Sequence, residues 1–513
     1  MNSLKVKNRK KKTRCLLDEK ITIAENLNVA SGYRLMIGYF GIFTMMIGGI
    51  CLLPLLVLIF YPSEWREGIN FLVPGLISII VGFGLSKTIK EKGQLKKYQD
   101  AILVVGIWII AIVICSFPLF MSGKYTYTQS LFEAVSGFST TGLSIVDVDN
   151  EYHIYLMFRS IMLFFGGVGL VLILMSAISD RLGMKLYTAE GHCDKLMPNL
   201  ARSARLILSI YFGYIVIGAL AFRICGMNTF DAINHAIAAI STGGFSTHSE
   251  SIAYYDNVAV EIVAMVLMLL GATNFVLHVF LFKRRFKDFI KHCETKMFLV
   301  FTAIGVPLLT YFFYKNSNIY SIGESFRISI FQFISAITTT GFQSIGDFHI
   351  FPPIGILILI ILMLMGLDMG STSGGMKQYR VVVFLKGLYY QLKDKMSSSR
   401  VVKTHYVDRL GERTKITDAE YKDCSTFILL YLIVFIFGSI LFCITGMSLS
   451  DAMFNFSSSL SGVGIWAGKA LTESTNGVLW ISMFGMFVGR LEIIVVYTAF
   501  VKLFRDITRR ETI

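Results

Sequence analysis

Long apolar runs alternate with shorter apolar segments and basic loops along most of the chain. Runs such as 101–121 reach the roughly 20 residues that a helix needs to cross a bilayer. Segments such as 128–138 are too short to cross, so the chain must enter and leave the membrane there on one face. The pattern predicts an all-α polytopic membrane protein with ten transmembrane helices, in which an N-terminal helix hairpin precedes four helix–loop–helix repeats.

The alternation divides the chain into seven segments. They are a basic tail at 1–32, a helix hairpin at 33–97, four repeats at 98–190, 200–290, 296–392 and 424–513, and a polar linker at 393–423. Within the repeats, return helices are expected over 155–178, 258–282, 354–385 and 478–504. Every return helix leads to a basic loop, so the positive-inside rule predicts that the tail, the linker and both termini are cytoplasmic.

A short stretch around one glycine recurs in each repeat, at Gly142, Gly244, Gly341 and Gly464. A hydroxyl residue lies three positions before each glycine, and an apolar residue follows it. A lone Thr-Thr-Gly is more typical of a turn or a helix C-cap. Four copies in one register, spaced by roughly a hundred residues, instead indicate a structural unit that is used four times. We therefore expect four pseudo-symmetric helix–P-loop–helix repeats around one pore.

The chemistry of this stretch favours a monovalent cation. Each short helix would direct the partially negative end of its dipole toward the common axis. Rings of backbone carbonyls can replace the hydration shell of such an ion. Cation pores can also be lined by rings of acidic side chains, but no copy of this stretch contains Asp or Glu. We predict a filter that favours K⁺ over Na⁺, with ammonium left open. Its residues are Thr140, Thr141, Gly142, Thr242, Gly243, Gly244, Thr339, Thr340, Gly341, Gly462, Val463 and Gly464.

The third return helix contains a stretch rich in glycine and hydroxyl residues, at 366–377. This density argues against a continuous helix, although small residues also form packing seams between membrane helices. The pattern alone does not separate these two interpretations. Arg490 lies in an apolar helix, where a charge usually faces a cavity or a partner. A structural pair with Glu492 or Asp368 is the alternative to a functional role for Arg490.

Five other residues receive structural interpretations. Glu133 is expected to anchor the first short helix, and Asp231 and Asp451 to cap the second and fourth short helices. His278 is interpreted as a buried hydrogen-bonding histidine, and Trp466 as a residue that packs at the membrane interface.

Composition disfavours the other classes of function. Of the 513 residues, 54% are hydrophobic and 16% are charged, which is typical of a membrane protein. The net charge of +14 is explained by the cytoplasmic loops and by a tail that contacts anionic lipid, and not by nucleic acid. The eight cysteines contain no CxxC pair, which indicates neither a disulfide framework nor a zinc site. An intramembrane enzyme is disfavoured because the chain has no HExxH or GxSxG motif.

The four-fold plan, with one glycine in each loop, resembles the Trk/Ktr/HKT superfamily of potassium transporters, and the extra hairpin is similar to its TrkH/TrkG branch. The resemblance covers about residues 33–510 and includes local motifs at 166–169, 274–278, 370–377 and 489–492. It implies K⁺ uptake by a multi-pass protein of the bacterial inner membrane. It also implies that the loop at 366–377 obstructs the path beneath the filter and that Arg490 raises the barrier to cations. The gate residues would be Gly366, Asp368, Gly370, Ser371, Thr372, Gly374, Gly375, Lys377 and Arg490.

The resemblance also has implications for partners and coupling. It implies a homodimer that works with a cytosolic ring of nucleotide-binding TrkA-type subunits, so that any nucleotide is bound by the partner and this chain binds no cofactor. Asp368 and Met369 stand where small residues are expected, which leaves the electrostatics of the gate open. A symporter of the same fold that couples K⁺ to H⁺ or Na⁺, with Asp368 and Arg490 as coupling groups, is the alternative function.

Overall fold

The computed structural model describes residues 32–88, 98–169, 200–317, 320–396 and 404–508. Residues 1–31 of the basic tail, the predicted helix end at 170–178 and residues 397–403 of the linker lie outside these ranges. Two helices, α1 (Gly32–Ile59) and α2 (Gly68–Ser86), form the expected N-terminal hairpin. The last residues of α1, Leu53–Ile59, have 3-10 geometry. Proline at position 54 lies at the start of this 3-10 stretch, which is where a missing amide is tolerated best.

Each of the four segments that the sequence predicts as a repeat contains a long helix, a short helix and the start of a return helix. The long helices are α3 (Gln99–Met121), α6 (Leu200–Ile224), α11 (Cys293–Ser317) and α15 (Asp418–Ile444). The short helices are α4 (Tyr127–Phe138), α7 (Thr229–Ile240), α12 (Ile322–Ile337) and α16 (Leu449–Ser461). The return helices begin with α5 (His153–Val168), α8 (Val258–Ala272), α13 (Pro353–Met365) and α17 (Asn476–Arg490). Each short helix packs against the long helix that precedes it.

Two return helices that the sequence predicts as continuous are broken. The helix expected over 258–282 ends at Ala272, and α9 (Phe275–Phe282) leaves at 110°. The helix expected over 478–504 ends at Arg490, and α18 (Ile493–Thr508) leaves at 98°. Asn274 caps α9 by accepting a hydrogen bond from the Val276 amide, and Glu492 takes a φ of +59° at the second break. Both corrections thus have a local backbone cause.

Helix length and composition alone indicate fewer membrane crossings than the predicted ten. Six helices in the described ranges are long and apolar enough to cross, and the two bent pairs raise this number to eight. The remaining two return helices, α5 and α13, are apolar but have only 16 and 13 residues. The first of them ends at Val168, one residue before the described range 98–169 stops, and the second leads into the loop at 366–377. Ten crossings therefore stays a prediction.

The remaining elements lie at 286–291 and after the loop at 366–377. They are α10 (Phe286–Lys291), α14 (Gln378–Lys395) and an antiparallel hairpin of β1 (Tyr406–Arg409) and β2 (Glu412–Lys415). The hairpin falls in the segment that the sequence predicts only as a polar linker. Its two-residue turn, Leu410–Gly411, has positive φ at both positions, as a type I′ turn requires.

Each short helix begins at a polar N-cap, which corrects one expectation. The caps are Thr126, Asn228, Ser321 and Ser448, and each accepts a hydrogen bond from the amide three residues later. Asp231 and Asp451 are therefore not the caps; they donate their amides to Asn228 and Ser448 at 2.7 and 3.1 Å. Their carboxylates lie in the first turn, where the helix dipole favours negative charge.

Glu133 and His278 have the structural roles that the sequence predicts. The buried Glu133 carboxylate accepts hydrogen bonds from Arg159 at 2.7 Å and from the Ile145 amide at 3.2 Å. The buried His278 ring is hydrogen-bonded to the Leu270 carbonyl at 3.0 Å. Trp466 packs on Phe442, and its indole N–H donates to the Lys469 carbonyl at 2.9 Å.

The loop that follows the third short helix is joined to the fourth short helix by a titratable side chain. His349 contacts the carboxylates of Asp347 and Asp451 at 3.0 and 3.1 Å. Partial burial lowers the pKa of His349, but the hydrogen bonds to these two carboxylates outweigh it, so the net direction is upward. The charged ring therefore stabilises the fold below its ordinary pKa of about 6.5, and this stabilisation is lost as pH rises through the elevated pKa.

We expect the melting temperature to fall slightly between pH 6 and pH 8 because of His349. The effect is small since exposed ion pairs contribute only about 0–1 kcal/mol. The His349→Gln variant should lack this fall in melting temperature. The melting temperatures of both proteins are measured in detergent at pH 6 and pH 8, and the changes between the two pH values are compared. The same pH-dependent change in both proteins would contradict this assignment.

Candidate functional site

All four short helices end in the same backbone arrangement. In the first, the Thr140 amide donates to the Gly137 carbonyl at 3.1 Å, and the Thr141 amide donates to the Ser136 carbonyl at 3.0 Å. These two bonds define a Schellman motif, in which the residue after the cap has left-handed geometry. The residues at that position are Thr140, Thr242, Thr339 and Gly462, with φ of 53°, 48°, 55° and 65°. The helix C-cap and the repeated stretch are thus the same feature.

The four repeat glycines bring the loops together in a closed ring. A Cβ atom on Gly142 would lie less than 3.0 Å from the Gly243 carbonyl oxygen. In the same way Gly244 abuts Thr340, Gly341 abuts Val463, and Gly464 abuts Thr141, each at a carbonyl oxygen. The loops therefore contact one another in chain order, and the fourth contacts the first. All four glycines also have positive φ, so a side chain at any of them would be strained as well as crowded.

Eight of the twelve residues predicted to form the filter are buried in this ring, and Gly142, Gly244, Gly462 and Gly464 are partly buried. The side chains of Thr141, Thr242, Thr340 and Val463 are completely buried. In the first and third copies, hydroxyl groups brace each other: Ser139 shares a hydrogen bond of 2.7 Å with Thr141, and Thr338 shares one of 2.8 Å with Thr340. These mutual hydrogen bonds give the hydroxyl groups a bracing role inside the ring.

Three glycines of the return helices also support the ring, and the repeat pattern did not reveal them as a set. A Cβ atom on Gly166, Gly271 or Gly489 would lie less than 3.0 Å from the last carbonyl of the adjacent short helix. The carbonyls belong to Phe138, Ile240 and Leu460, respectively. Each of these glycines follows its filter glycine by roughly 25 residues, so a longer search for internal repeats could have found them.

The loop at 366–377, which we call the intramembrane loop, lies directly against the helix ends of the ring. The Thr372 hydroxyl contacts the Ile240 carbonyl at 3.1 Å and the Gly271 carbonyl at 2.8 Å. The Gly374 amide donates to the Thr339 hydroxyl at 2.7 Å. A Cβ atom on Gly374 would collide with the Ser461 carbonyl. The loop thus contacts the ends of the second, third and fourth short helices.

The two ends of the intramembrane loop contact each other. Gly366 and Gly375 have positive φ, and a Cβ atom on Gly366 would collide with the Gly374 carbonyl. The Met376 amide donates to the Leu364 carbonyl at 2.9 Å. The Lys377 ammonium donates to the carbonyl of Ser373 and lies 3.3 Å from its hydroxyl. The interpretation as an irregular loop is therefore correct, and the alternative of a continuous helix with a packing seam is wrong here.

Arg490 bridges this loop and the first return helix through backbone carbonyls. Its guanidinium donates to the Thr372 carbonyl at 3.0 Å, to the Gly167 carbonyl at 3.3 Å and to the Gly166 carbonyl. The two carboxylates that the sequence suggested as partners have other contacts. Glu492 accepts from Arg380 at 2.7 Å, and Asp368 accepts from the Asn274 amide at 3.1 Å.

A cavity of about 50 Å³ lies beside the loop and Arg490. Six of the predicted gate residues contribute to its lining: Gly370, Ser371, Gly374, Gly375, Lys377 and Arg490. Gly366, Asp368 and Thr372 lie outside the lining. The structure therefore brings most of the predicted gate into one place beneath the ring, with two cationic side chains and several backbone carbonyls.

Comparison with known proteins gives the family of this fold and site. The family model described as TrkH, cation transport protein, matches residues 67–507. The chain belongs to the TrkH family. This places it among transporters and not among enzymes.

Two curated relatives of this TrkH-family chain are potassium uptake proteins of Escherichia coli K12. The Trk system potassium uptake protein TrkG is 31% identical over 457 residues, which cover 86% of this chain and 92% of TrkG. The Trk system potassium uptake protein TrkH is 30% identical over 498 residues, which cover 92% and 99% of the two chains. The crystal structure of the potassium transporter TrkH from Vibrio parahaemolyticus matches with a TM-score of 0.80 and 25% identity, covering 92% of this chain and 98% of that one.

Asp368 has a local structural function in this TrkH-family chain. Its amide donates to the Ala272 carbonyl at 3.3 Å, and its carboxylate accepts from the Asn274 amide. Both contacts are made at the break between α8 and α9. Asp368 therefore ties the intramembrane loop to the bend of the second return helix. Its carboxylate stands where the resemblance leads us to expect a small residue, and it is hydrogen-bonded to the Asn274 amide at that bend.

Proposed function

We propose that this protein takes up K⁺ across the bacterial plasma membrane through the ring of four filter loops. The observation that carries the proposal is the closed ring of glycines, each pressed against a carbonyl oxygen of the next loop. A buried ring of uncharged backbone oxygens suits a large, weakly hydrated monovalent cation. The names of the two E. coli relatives and of the Vibrio transporter add independent support for K⁺ as the transported ion.

The intramembrane loop and Arg490 form the gate in this proposal. Support comes from the loop's contacts with three of the four short helices and from the position of Arg490 below it. A guanidinium bound to the loop repels an approaching cation and also holds the loop in place. Opening then requires that the hydrogen bonds from Thr372, Gly374 and Arg490 be broken together.

The proposal is tested by uptake of ⁸⁶Rb⁺ into liposomes that contain the purified protein. K⁺ should compete strongly with ⁸⁶Rb⁺, and Na⁺ should compete weakly, because the larger ion loses its water more easily to a fixed ring of carbonyls. Ammonium is included as a third competitor. Competition by Na⁺ equal to that by K⁺ would contradict the selectivity, and uptake no greater than in empty liposomes would contradict the function.

The coupled symporter is distinguished in the same liposomes. Uptake of ⁸⁶Rb⁺ is measured at a fixed membrane potential, with and without an H⁺ or Na⁺ gradient. Uptake through a gated pore should be unchanged when the second gradient is collapsed. The contacts of Asp368 with the α8–α9 bend support a structural role for this carboxylate instead of a coupling role.

The proposal extends to the assembly and its orientation. The protein would be a homodimer in the inner membrane with both termini and the basic tail on the cytoplasmic side, where the tail meets anionic lipid. A cytosolic TrkA-type ring would bind there and carry the regulatory nucleotide; the relatives' designation as parts of a Trk system supports a multi-component complex. Light scattering after size exclusion tests the dimer, and co-purification with a TrkA-type subunit tests the ring.

A further inference from the structure

One buried carboxylate holds both ends of the intramembrane loop. Glu294 lies in the first turn of α11, and its side chain is completely buried. One of its oxygens accepts hydrogen bonds from the Met369 amide at 2.8 Å and from the Tyr379 amide at 3.0 Å. The first amide belongs to the early part of the loop, and the second belongs to the first turn of α14, just after the loop. A single oxygen atom thus fixes the distance between the two ends.

The other oxygen of Glu294 connects to the cytoplasmic β-hairpin through a buried histidine. His292 contacts this oxygen through Nε2 at 2.8 Å, and its Nδ1 accepts from the Leu410 amide at 3.2 Å. Because Nδ1 accepts a hydrogen bond, the ring proton lies on Nε2 and is donated to Glu294. Leu410 lies in the turn of the hairpin, where its amide would otherwise hydrogen-bond to water. The turn is therefore bound to the carboxylate through one imidazole ring.

The inner strand of the hairpin also packs beneath the loop. Val407 is buried in an apolar cluster with Met369, Tyr379, Cys293 and Cys424. Two of these residues, Met369 and Tyr379, are the ones whose amides bind Glu294. The Arg409 guanidinium lies 4.1 Å from the centre of the Tyr379 ring, in the geometry of a cation–π contact. Hydrogen bonding and apolar packing therefore join the hairpin to the same two points of the loop.

We propose that Glu294 and His292 form a clasp that couples the cytoplasmic hairpin at 406–415 to the intramembrane loop. With the hairpin docked, His292 orients Glu294, and Glu294 keeps the two ends of the loop together. When the hairpin leaves, His292 loses the Leu410 amide that fixes its tautomer and ring orientation, so its hydrogen bond to the buried Glu294 carboxylate weakens and Glu294 holds the two loop ends less firmly. Glu294 and His292 are positioning residues that act on the gate through the loop backbone. This inference rests on the proposed function only for its effect on ion flux.

Hydrogen exchange of the full-length protein in nanodiscs tests the clasp without reference to transport. In Glu294→Ala, peptides that cover 366–379 and 406–412 should both exchange faster than in the unmodified protein. His292→Ala removes the bond to the hairpin and the bond to Glu294 but leaves both loop amides able to bind Glu294, and it should accelerate exchange in both peptides. In His292→Asn the side-chain oxygen can still accept from the Leu410 amide, so the exchange rate of the hairpin peptide should lie between those of His292→Ala and the unmodified protein. Lys296→Ala, which removes an exposed ion pair with Asp408, is the matched control and should change neither peptide.

Uptake of ⁸⁶Rb⁺ by the same variants separates the clasp from the gate. We expect Glu294→Ala and His292→Ala to raise basal uptake severalfold. Faster exchange in the hairpin alone, with the loop unchanged in His292→Ala, would overturn the clasp. Unchanged hairpin exchange in Glu294→Ala would also overturn it. Faster exchange in both peptides with unaltered uptake would support the clasp and contradict the proposed gate.

Discussion

Replacing Gly341 with alanine should reduce ⁸⁶Rb⁺ uptake to the level of empty liposomes. The added Cβ atom would lie in the space that the Val463 carbonyl oxygen occupies, and the φ of 83° at this position is unfavourable for any residue with a Cβ atom. Either the third or the fourth loop must move, and the moved carbonyl no longer takes part in a closed ring. Carbonyl coordination tolerates such a change poorly because the oxygens must replace the ion's hydration shell together.

The matched control for this variant is Gly346→Ala, in the same outer loop. Gly346 has open space around the position of a Cβ atom and does not have a positive φ. It should retain the uptake of the unmodified protein. Size-exclusion profiles and melting temperatures of both variants establish that they are folded. A folded Gly341→Ala protein with normal, K⁺-selective uptake would show that the glycine ring is not the selectivity filter.

Replacing Arg490 with alanine should have the opposite effect and raise basal uptake severalfold. The guanidinium donates to one carbonyl of the intramembrane loop and to two of the first return helix. Its removal leaves these carbonyls free to bind a cation and eliminates a positive charge beside the cavity. The loop also loses one of its attachments, so both electrostatics and mechanics favour ion passage.

The appropriate control for Arg490→Ala removes the same charge elsewhere. Arg505 is exposed on α18, and Arg505→Ala should leave basal uptake unchanged. Arg490→Lys keeps the charge but cannot reproduce the guanidinium fork, so its uptake should fall between those of the unmodified protein and the alanine variant. Unchanged uptake by folded Arg490→Ala would remove this residue from the gate.

The features that sequence could predict are those that repeat or that follow from local backbone preferences. The recurrence of Gly142 and its three counterparts located each loop, and long apolar runs located the helices. The Schellman ends are also local, because Thr140 and its counterparts adopt left-handed geometry at a helix end. The family resemblance then indicated which residues to propose as the gate, and six of them line one cavity.

The features that sequence could not predict depend on contacts between distant segments. The bend after Ala272 begins at a local cap, Asn274, but it is also held by Asp368, almost a hundred residues later, and the mostly apolar run does not reveal that contact. The hairpin at 406–415 has a Leu-Gly turn in place of the favoured Asn-Gly or Asp-Gly, which weakens the usual signal. The roles of His292 and Glu294 emerge only when α11, the loop and the hairpin are placed together.

The four-loop ring is built from one continuous polypeptide, and this has a consequence for how it can vary. In a channel of identical subunits, every substitution appears in all four quadrants at once. Here each quadrant can diverge separately, and one already has: Gly462 and Val463 occupy the places that two threonines hold in the first and third copies. A single substitution in this chain can therefore alter one quadrant of the ring and leave the other three unchanged.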